Sequence, residues 1–143
     1  MIVKAILSSK GSGVTTIEPT ANVAAAVKLL AERRIGAVVV TGAGKRVIGI
    51  VSERDIVRVL GEHGHAALEL PLTEVMTRRV ETCAPSDTIS SIMERMTAGK
   101  FRHVPVLEQD QLAGIISIGD VVKSRLEEME RESDAMREYI RTA

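Results

Sequence analysis

The chain predicts a mixed α/β (α+β) fold, two β-α-β-β-α repeats packed about a pseudo-twofold axis plus a long C-terminal helix. Three observations carry this. First, Gly49-Ile50-Val51-Ser52-Glu53-Arg54-Asp55-Ile56-Val57 returns as Gly114-Ile115-Ile116-Ser117-Ile118-Gly119-Asp120-Val121-Val122. Second, the match runs backwards through Leu30/Met96, Val27/Met93, Ala26/Ile92, Val23/Ile89 and Pro19/Pro85. It slips by one residue only in the loop Thr41–Arg46 against Leu107–Gln111, and surface loops accept insertions. Third, each repeat is about 50–60 residues, near the lower limit for burying a useful core, so two repeats sharing one core are expected. The chain divides into repeat 1 at 1–66, repeat 2 at 67–125 and a helical extension at 126–143.

Ile2–Leu7 has the character of a short leading helix, followed by a Ser/Gly loop at Ser8–Gly13. Val14–Ile17 is a short β-rich segment closed by Glu18-Pro19. Asn22 is a candidate N-cap, and Val23, Ala26, Val27 and Leu30 follow at helical spacing until Ile35-Gly36. Ala37–Val40 and Val47–Ser52 are apolar runs of strand length around a hairpin-like turn at Thr41–Lys45. A helix begins at Glu53–Leu60, and Gly61–Pro71 is a linker or a frayed helix end. The second half repeats this order. Leu72–Met76 is the leading helix and Val80–Cys83 the short strand. Ser86 or Asp87 caps a helix through Ala98, which Gly99 stops. His103–Leu107 and Leu112–Ser117 make the strand pair. The last helix runs from Asp120 to about Arg141, with Val122, Met129 and Met136 at seven-residue spacing. A lone helix of that length is marginal in water, so its apolar stripe packs on its own domain or on a second copy.

The 143 residues are 45% hydrophobic and 27% charged, the balance of an ordinary globular chain. Nineteen Lys and Arg offset nineteen Asp and Glu, so no basic footprint points to nucleic acid or to an anionic membrane surface. No apolar run reaches the ~18–20 residues of a membrane span. Met1–Leu7 lacks a signal-peptide core, so a cytoplasmic location is expected. The single Cys83 excludes an intramolecular disulfide and a cysteine-based zinc cluster. With Phe101 and Tyr139 as the only aromatics, the chain has no stacking platform for single-stranded nucleic acid. His63 and His65 near Glu62 and Glu69 are a weak metal pattern, and no metal site is assigned.

The paired Gly-Ile-Val/Ile-Ser-x-x-Asp blocks resemble the cystathionine β-synthase (CBS) domain, two of which in tandem form a Bateman module. Lys10-Gly11, Thr16-Ile17-Glu18-Pro19, Ser52-Glu53-Arg54-Asp55 and Phe101-Arg102-His103-Val104-Pro105 are similar to small stand-alone bacterial CBS pairs. The resemblance covers about residues 1–125. It implies a regulatory module without catalysis that binds AMP, ADP, ATP or NAD(H) between the repeats and needs no further cofactor.

On that resemblance, Asp55 and Asp120 accept the two vicinal hydroxyls of a ribose; as plain residues they are equally suited to capping helices. Ser52 and Ser117 offer a hydroxyl at a helix start, as an anion site or as caps. Arg54, Arg102 and His103 are the cations for phosphate, with Lys10 added in the first half. Arg54 faces only Gly119 in the repeat alignment, and Arg102-His103 face Gly36-Ala37, so the two halves are unequal. Arg102 or His103 could therefore serve a phosphate held by the first half. Thr16-Ile17, Val80 and Thr82-Cys83, with Pro105 and Ile116 on the aliphatic strands, are the positions the family uses around adenine, or are plain strand packing. The expected protein is a homodimer that senses an adenine nucleotide and signals to an effector protein. The alternative is an interaction or scaffold module with unused clefts.

Overall fold

The computed structural model describes residues 1–11 and 13–142. Ser12, within the expected Ser8–Gly13 loop, and Ala143, the end of the expected extension, lie outside the described residues. The first half comprises α1 (Val3–Lys10), β1 (Thr16–Ile17), α2 (Val23–Arg33), β2 (Ala37–Thr41), β3 (Val47–Ser52) and α3 (Glu53–His63). The second comprises α4 (Ile89–Gly99), β4 (His103–Glu108), β5 (Gln111–Ser117) and α5 (Ile118–Thr142). The expected linker Gly61–Pro71 is taken up by the end of α3 and a 3-10 turn at Gly64–Glu69. The expected leading helix Leu72–Met76 is only a 3-10 turn, Leu72–Glu74, because Pro71 at its start and the Ile50–Thr77 bridge just after it leave no room for a longer helix.

The repeat is visible down to single caps. Asn22 caps α2 by accepting from the Ala25 amide at 3.0 Å. Its equivalent is Thr88, whose Oγ1 accepts from Ser91 at 3.1 Å. Ser86 and Asp87, the expected caps, do not serve; the Asp87 carboxylate instead takes the Ala84 amide at 2.9 Å and closes the preceding turn. Helix α4 also runs through Gly99 rather than stopping there. Arg34 and Lys100 end α2 and α4 in the left-handed region, at φ 54° and 57°. A side chain there costs roughly 1–2 kcal/mol, offset by the closing bonds to Leu30 and Met96.

Strand β1 runs parallel to β2, pairing Ile17 with Val40, and β2 is antiparallel to β3. In the second half β4 and β5 are antiparallel, and the expected strand Val80–Cys83 is reduced to one parallel bridge, Cys83 to Val106. The reason is local. The Arg95 guanidinium takes the Thr82 carbonyl at 2.7 Å and the Glu81 carboxylate at 2.8 Å, so a side chain supplies the partner a ladder would have given.

Buried residues form two clusters, one per half, instead of the single shared core expected. The first gathers Val23, Ala26, Leu30, Val38, Val40, Val51 and Ile56. The second gathers Ile89, Ile92, Met96, Val104, Val106, Ile116 and Val121. Each is completed by the leading segment of the other half. Val3 and Ile6 of α1 enter the second cluster, and Ile2 bridges to Thr88. Leu72, Val75 and Met76 enter the first, and Pro71 bridges to Asn22. Gly49 and Gly114, on the hairpins, give these segments their room. A Cβ at Gly49 would lie 2.5 Å from Met76 Sδ, and one at Gly114 2.6 Å from Leu7 Cδ2. Exchange ties the halves together without a common core.

Candidate functional site: the cleft between the repeats

The duplicated Ser-x-x-Asp blocks fold as capping boxes at two strand-to-helix junctions. Ser52 ends β3 and caps α3: its Oγ accepts the Asp55 amide at 3.3 Å, while Asp55 Oδ2 takes the Ser52 amide at 2.9 Å. At the start of α5, Ser117 accepts the Asp120 amide at 3.2 Å and Asp120 Oδ2 takes the Ser117 amide at 2.8 Å. Capping is thus a role both aspartates hold.

Beyond the cap the two sites differ. Asp120 Oδ2 is also gripped by Lys10 Nζ of α1 at 2.7 Å. Burial pushes the Asp120 carboxyl up, but the Lys10 and Ser117 bonds outweigh it and hold the group below the ordinary 3.8. Asp55 Oδ1 has only long contacts, Arg58 at 3.4 Å and Thr77 at 3.5 Å. At such distances neither is a strong hydrogen bond.

Asp55 opens onto a cavity of about 440 Å³ between the halves. Of the residues expected to bind ligand, Ser52, Arg54, Asp55, Val80, Arg102 and His103 line it. The first half thus supplies the acid and the second the Arg-His pair. Arg54 crosses the gap, donating from Nη1 to the Lys100 carbonyl at 2.9 Å. Lys10, Thr16, Ile17, Thr82, Cys83, Pro105, Ile116, Ser117, Gly119 and Asp120 do not line this cavity. Cys83, Pro105 and Ile116 are buried in the second half. Burial, helped by Asp87 and opposed by Arg95, pushes the Cys83 thiol up to about 11, so it is an inert packing group. Lys10, Ser117 and Asp120 belong to the other junction, and Gly119 lies on a groove along α5.

Sequence reasoning missed Gly36, Ile50, Glu53, Thr77, Arg79, Glu81, Gly99, Lys100 and Phe101 as lining residues. The signal for Lys100 and Phe101 was their place beside Arg102-His103 at the helix end. Residues 77–81 reach the cleft only because the leading segments are exchanged. Gly36 makes room for the wall opposite, since a Cβ there would lie 3.2 Å from His103 Cε1 and 3.5 Å from Glu53 Oε1. Burial lowers the His103 pKa below 6.5, with Glu53 and Asp120 pulling the other way, so the ring is neutral at pH 7. Arg54, Arg79, Lys100 and Arg102 line the cavity together with Glu53, Asp55 and Glu81, so it offers both cations for an anion and carboxylates for hydroxyl donors.

Two tandem α+β units with a cleft between them make a paired-repeat module. The sequence profile of the CBS domain matches residues 3–62 and again 72–127, and the chain belongs to the CBS-domain family. A CBS-domain containing protein from Agrobacterium tumefaciens has the same fold, with a TM-score of 0.85 and 46% identity, covering 87% of this chain and 99% of that one. A mitochondrial CBS-domain protein of Arabidopsis thaliana is 31% identical over 119 residues, 80% of this chain; the chain spans only 58% of that relative's length. A CBS-domain protein from Pyrobaculum aerophilum, solved in complex with AMP, is 27% identical with a TM-score of 0.75, covering 84% of this chain and 89% of that one. CBS-domain proteins are generally regulatory rather than catalytic. No helix of the described residues is long and apolar enough to cross a membrane.

Proposed function

We propose that this CBS pair is a cytoplasmic sensor that binds one adenine nucleotide of the AMP, ADP, ATP or NAD(H) class in the inter-repeat cleft. Asp55 Oδ1 would accept the ribose hydroxyls, with Oδ2 kept on the Ser52 amide. Arg54, Arg102 and the α3 N-terminus would take the phosphate. Val80 and Ile50 would flank the base. The observation that carries this reading is a cavity of about 440 Å³ that joins the acid of one half to the cations of the other. Its size falls in the usual range for small-ligand sites. The AMP-bound Pyrobaculum relative supports an adenine ligand for the class.

The Asp120 junction would stay empty, because Lys10 already neutralises its carboxylate. A nucleotide seated between the halves favours whichever relative arrangement it binds better, and it shifts the population by that difference alone. An effector protein would read the arrangement, with the chain acting as a self-associated pair through α5. Calorimetric titration with AMP, ATP and NADH tests this: saturable binding of at least one, at one site per chain, is expected. No binding of any of them at millimolar concentration contradicts it. The other reading, an interaction module with unused clefts, draws on the Lys10–Asp120 pair and on the exposed apolar face of α5.

A further inference from the structure

Helix α5 has two faces, and the domain uses one. Val121 and Ser124 are its buried residues, and from Glu130 to Thr142 every residue is exposed. At 100° per residue, Val122, Leu126, Met129, Ser133, Met136 and Ile140 fall within about 40° of one line. Val121 and Ser124 lie about 100–160° away from it. The stripe is open: Val122 is 47% exposed, Leu126 60%, Met129 55%, Met136 61% and Ile140 67%. Its 4-3-4-3-4 spacing is the seam of a two-stranded coiled coil, with Leu126, Ser133 and Ile140 at one core position and Val122, Met129 and Met136 at the other.

The flanking charges choose the partner and its direction. In a parallel, in-register pair of identical helices, each residue just before a first core position meets the residue five further on in its neighbour. Here Arg125 meets Glu130 of the partner subunit, and Glu132 meets Arg137 of the partner subunit. Both contacts are of opposite sign, and each occurs twice by symmetry. An antiparallel pairing over the same span sets Lys123 against Arg137 and Glu130 against its own copy, both repulsive. We propose that two copies of this chain join α5 to α5 in parallel and in register, as a short coiled coil that projects from the paired domains. This deepens the self-association included in the proposed function, and it holds whether or not the cleft takes a nucleotide.

The test uses the full chain. Ile140→Cys under mild oxidation is expected to give a covalent dimer, because the parallel seam places the two copies of this position side by side. In the antiparallel pairing, position 140 faces position 122, and its own copy is about 27 Å away. Failure of Ile140→Cys to cross-link, with cross-linking between positions 122 and 140 in the Val122→Cys/Ile140→Cys chain, overturns the proposal. Sedimentation supplies an independent reading. Arg125→Glu should weaken the dimer about three- to tenfold, and Arg125→Glu with Glu130→Arg should restore it. These positions are at least partly exposed, and circular dichroism checks that the variants remain folded. A chain that is monomeric at high micromolar concentration, or a dimer indifferent to the charge reversal, overturns it. Each of these failures leaves a positive nucleotide titration standing, so the two proposals fall separately.

Discussion

Asp55 and Asp120 look interchangeable in the sequence, yet their surroundings separate them. Both close capping boxes through Oδ2, but Asp120 Oδ2 also holds Lys10 at 2.7 Å, while Asp55 lines the cleft and its Oδ1 has only the long contacts to Arg58 and Thr77. The consequence for Asp120 is a pH dependence of stability. Its folded pKa lies below 3.8, so its contribution is complete above that value and is lost as pH falls through the lower folded pKa. Lys10→Met should remove most of this acid-side slope in a denaturation series at pH 2–5, while costing about 1 kcal/mol or less near neutrality because both side chains are partly solvated. An unchanged slope would mean that the pair contributes nothing. Cys83 provides a second check: with its thiol pushed up to about 11 inside the second core, alkylation at pH 8 should wait on unfolding. Rapid labelling of the folded chain would contradict that burial. The sequence disclosed the residue types of the cleft, Arg54, Asp55, Arg102 and His103, but not which junction they serve. That depends on Lys10, which stands 110 residues from Asp120 in the chain.

Among the elements, the hairpins and the helices that flank them were legible because their apolar periods are clear and occur twice, whereas the second leading helix, expected at Leu72–Met76, is only a 3-10 turn. The equivalent caps, Asn22 and Thr88, were half legible: Asx and Ser/Thr candidates crowd residues 86–88, and only geometry chooses Thr88. The short strand at Val80–Cys83 was misread because strand composition does not reveal that Arg95 will claim the Thr82 carbonyl. The exchange of leading segments was invisible, since an apolar segment reads the same whichever half it packs on. That exchange makes a prediction. Ile6→Ala should cost about 2–4 kcal/mol, and hydrogen exchange should quicken in α4 and β5 before α2 or β3. Faster exchange confined to the first half would refute the packing. Gly114→Ala should likewise destabilise, by about 1–3 kcal/mol, because its Cβ would meet Leu7 on α1. Gly49→Ala should cost less, since Met76 has the more adaptable side chain. Chemical denaturation of the two alanine variants orders them, and the reverse order would show that the helix yields more readily than the methionine.

At the scale of the whole molecule, two small cores, each completed by a segment of the other half, frame one cleft that brings Asp55 of the first half to Arg102 of the second. A ligand that bridges them stabilises both halves at once, by about 2.7 kcal/mol when present at a hundred times its dissociation constant. The two halves should therefore melt together and later in its presence. The measurement that goes most directly to this arrangement is the AMP affinity of Asp55→Ala beside that of Asp120→Ala, by calorimetry on folded protein. Removing the cleft carboxylate should weaken AMP about ten- to a hundredfold, while Asp120→Ala should bind like the parent chain. If Asp120→Ala loses AMP and Asp55→Ala keeps it, the nucleotide sits at the other junction and the cleft reading is wrong.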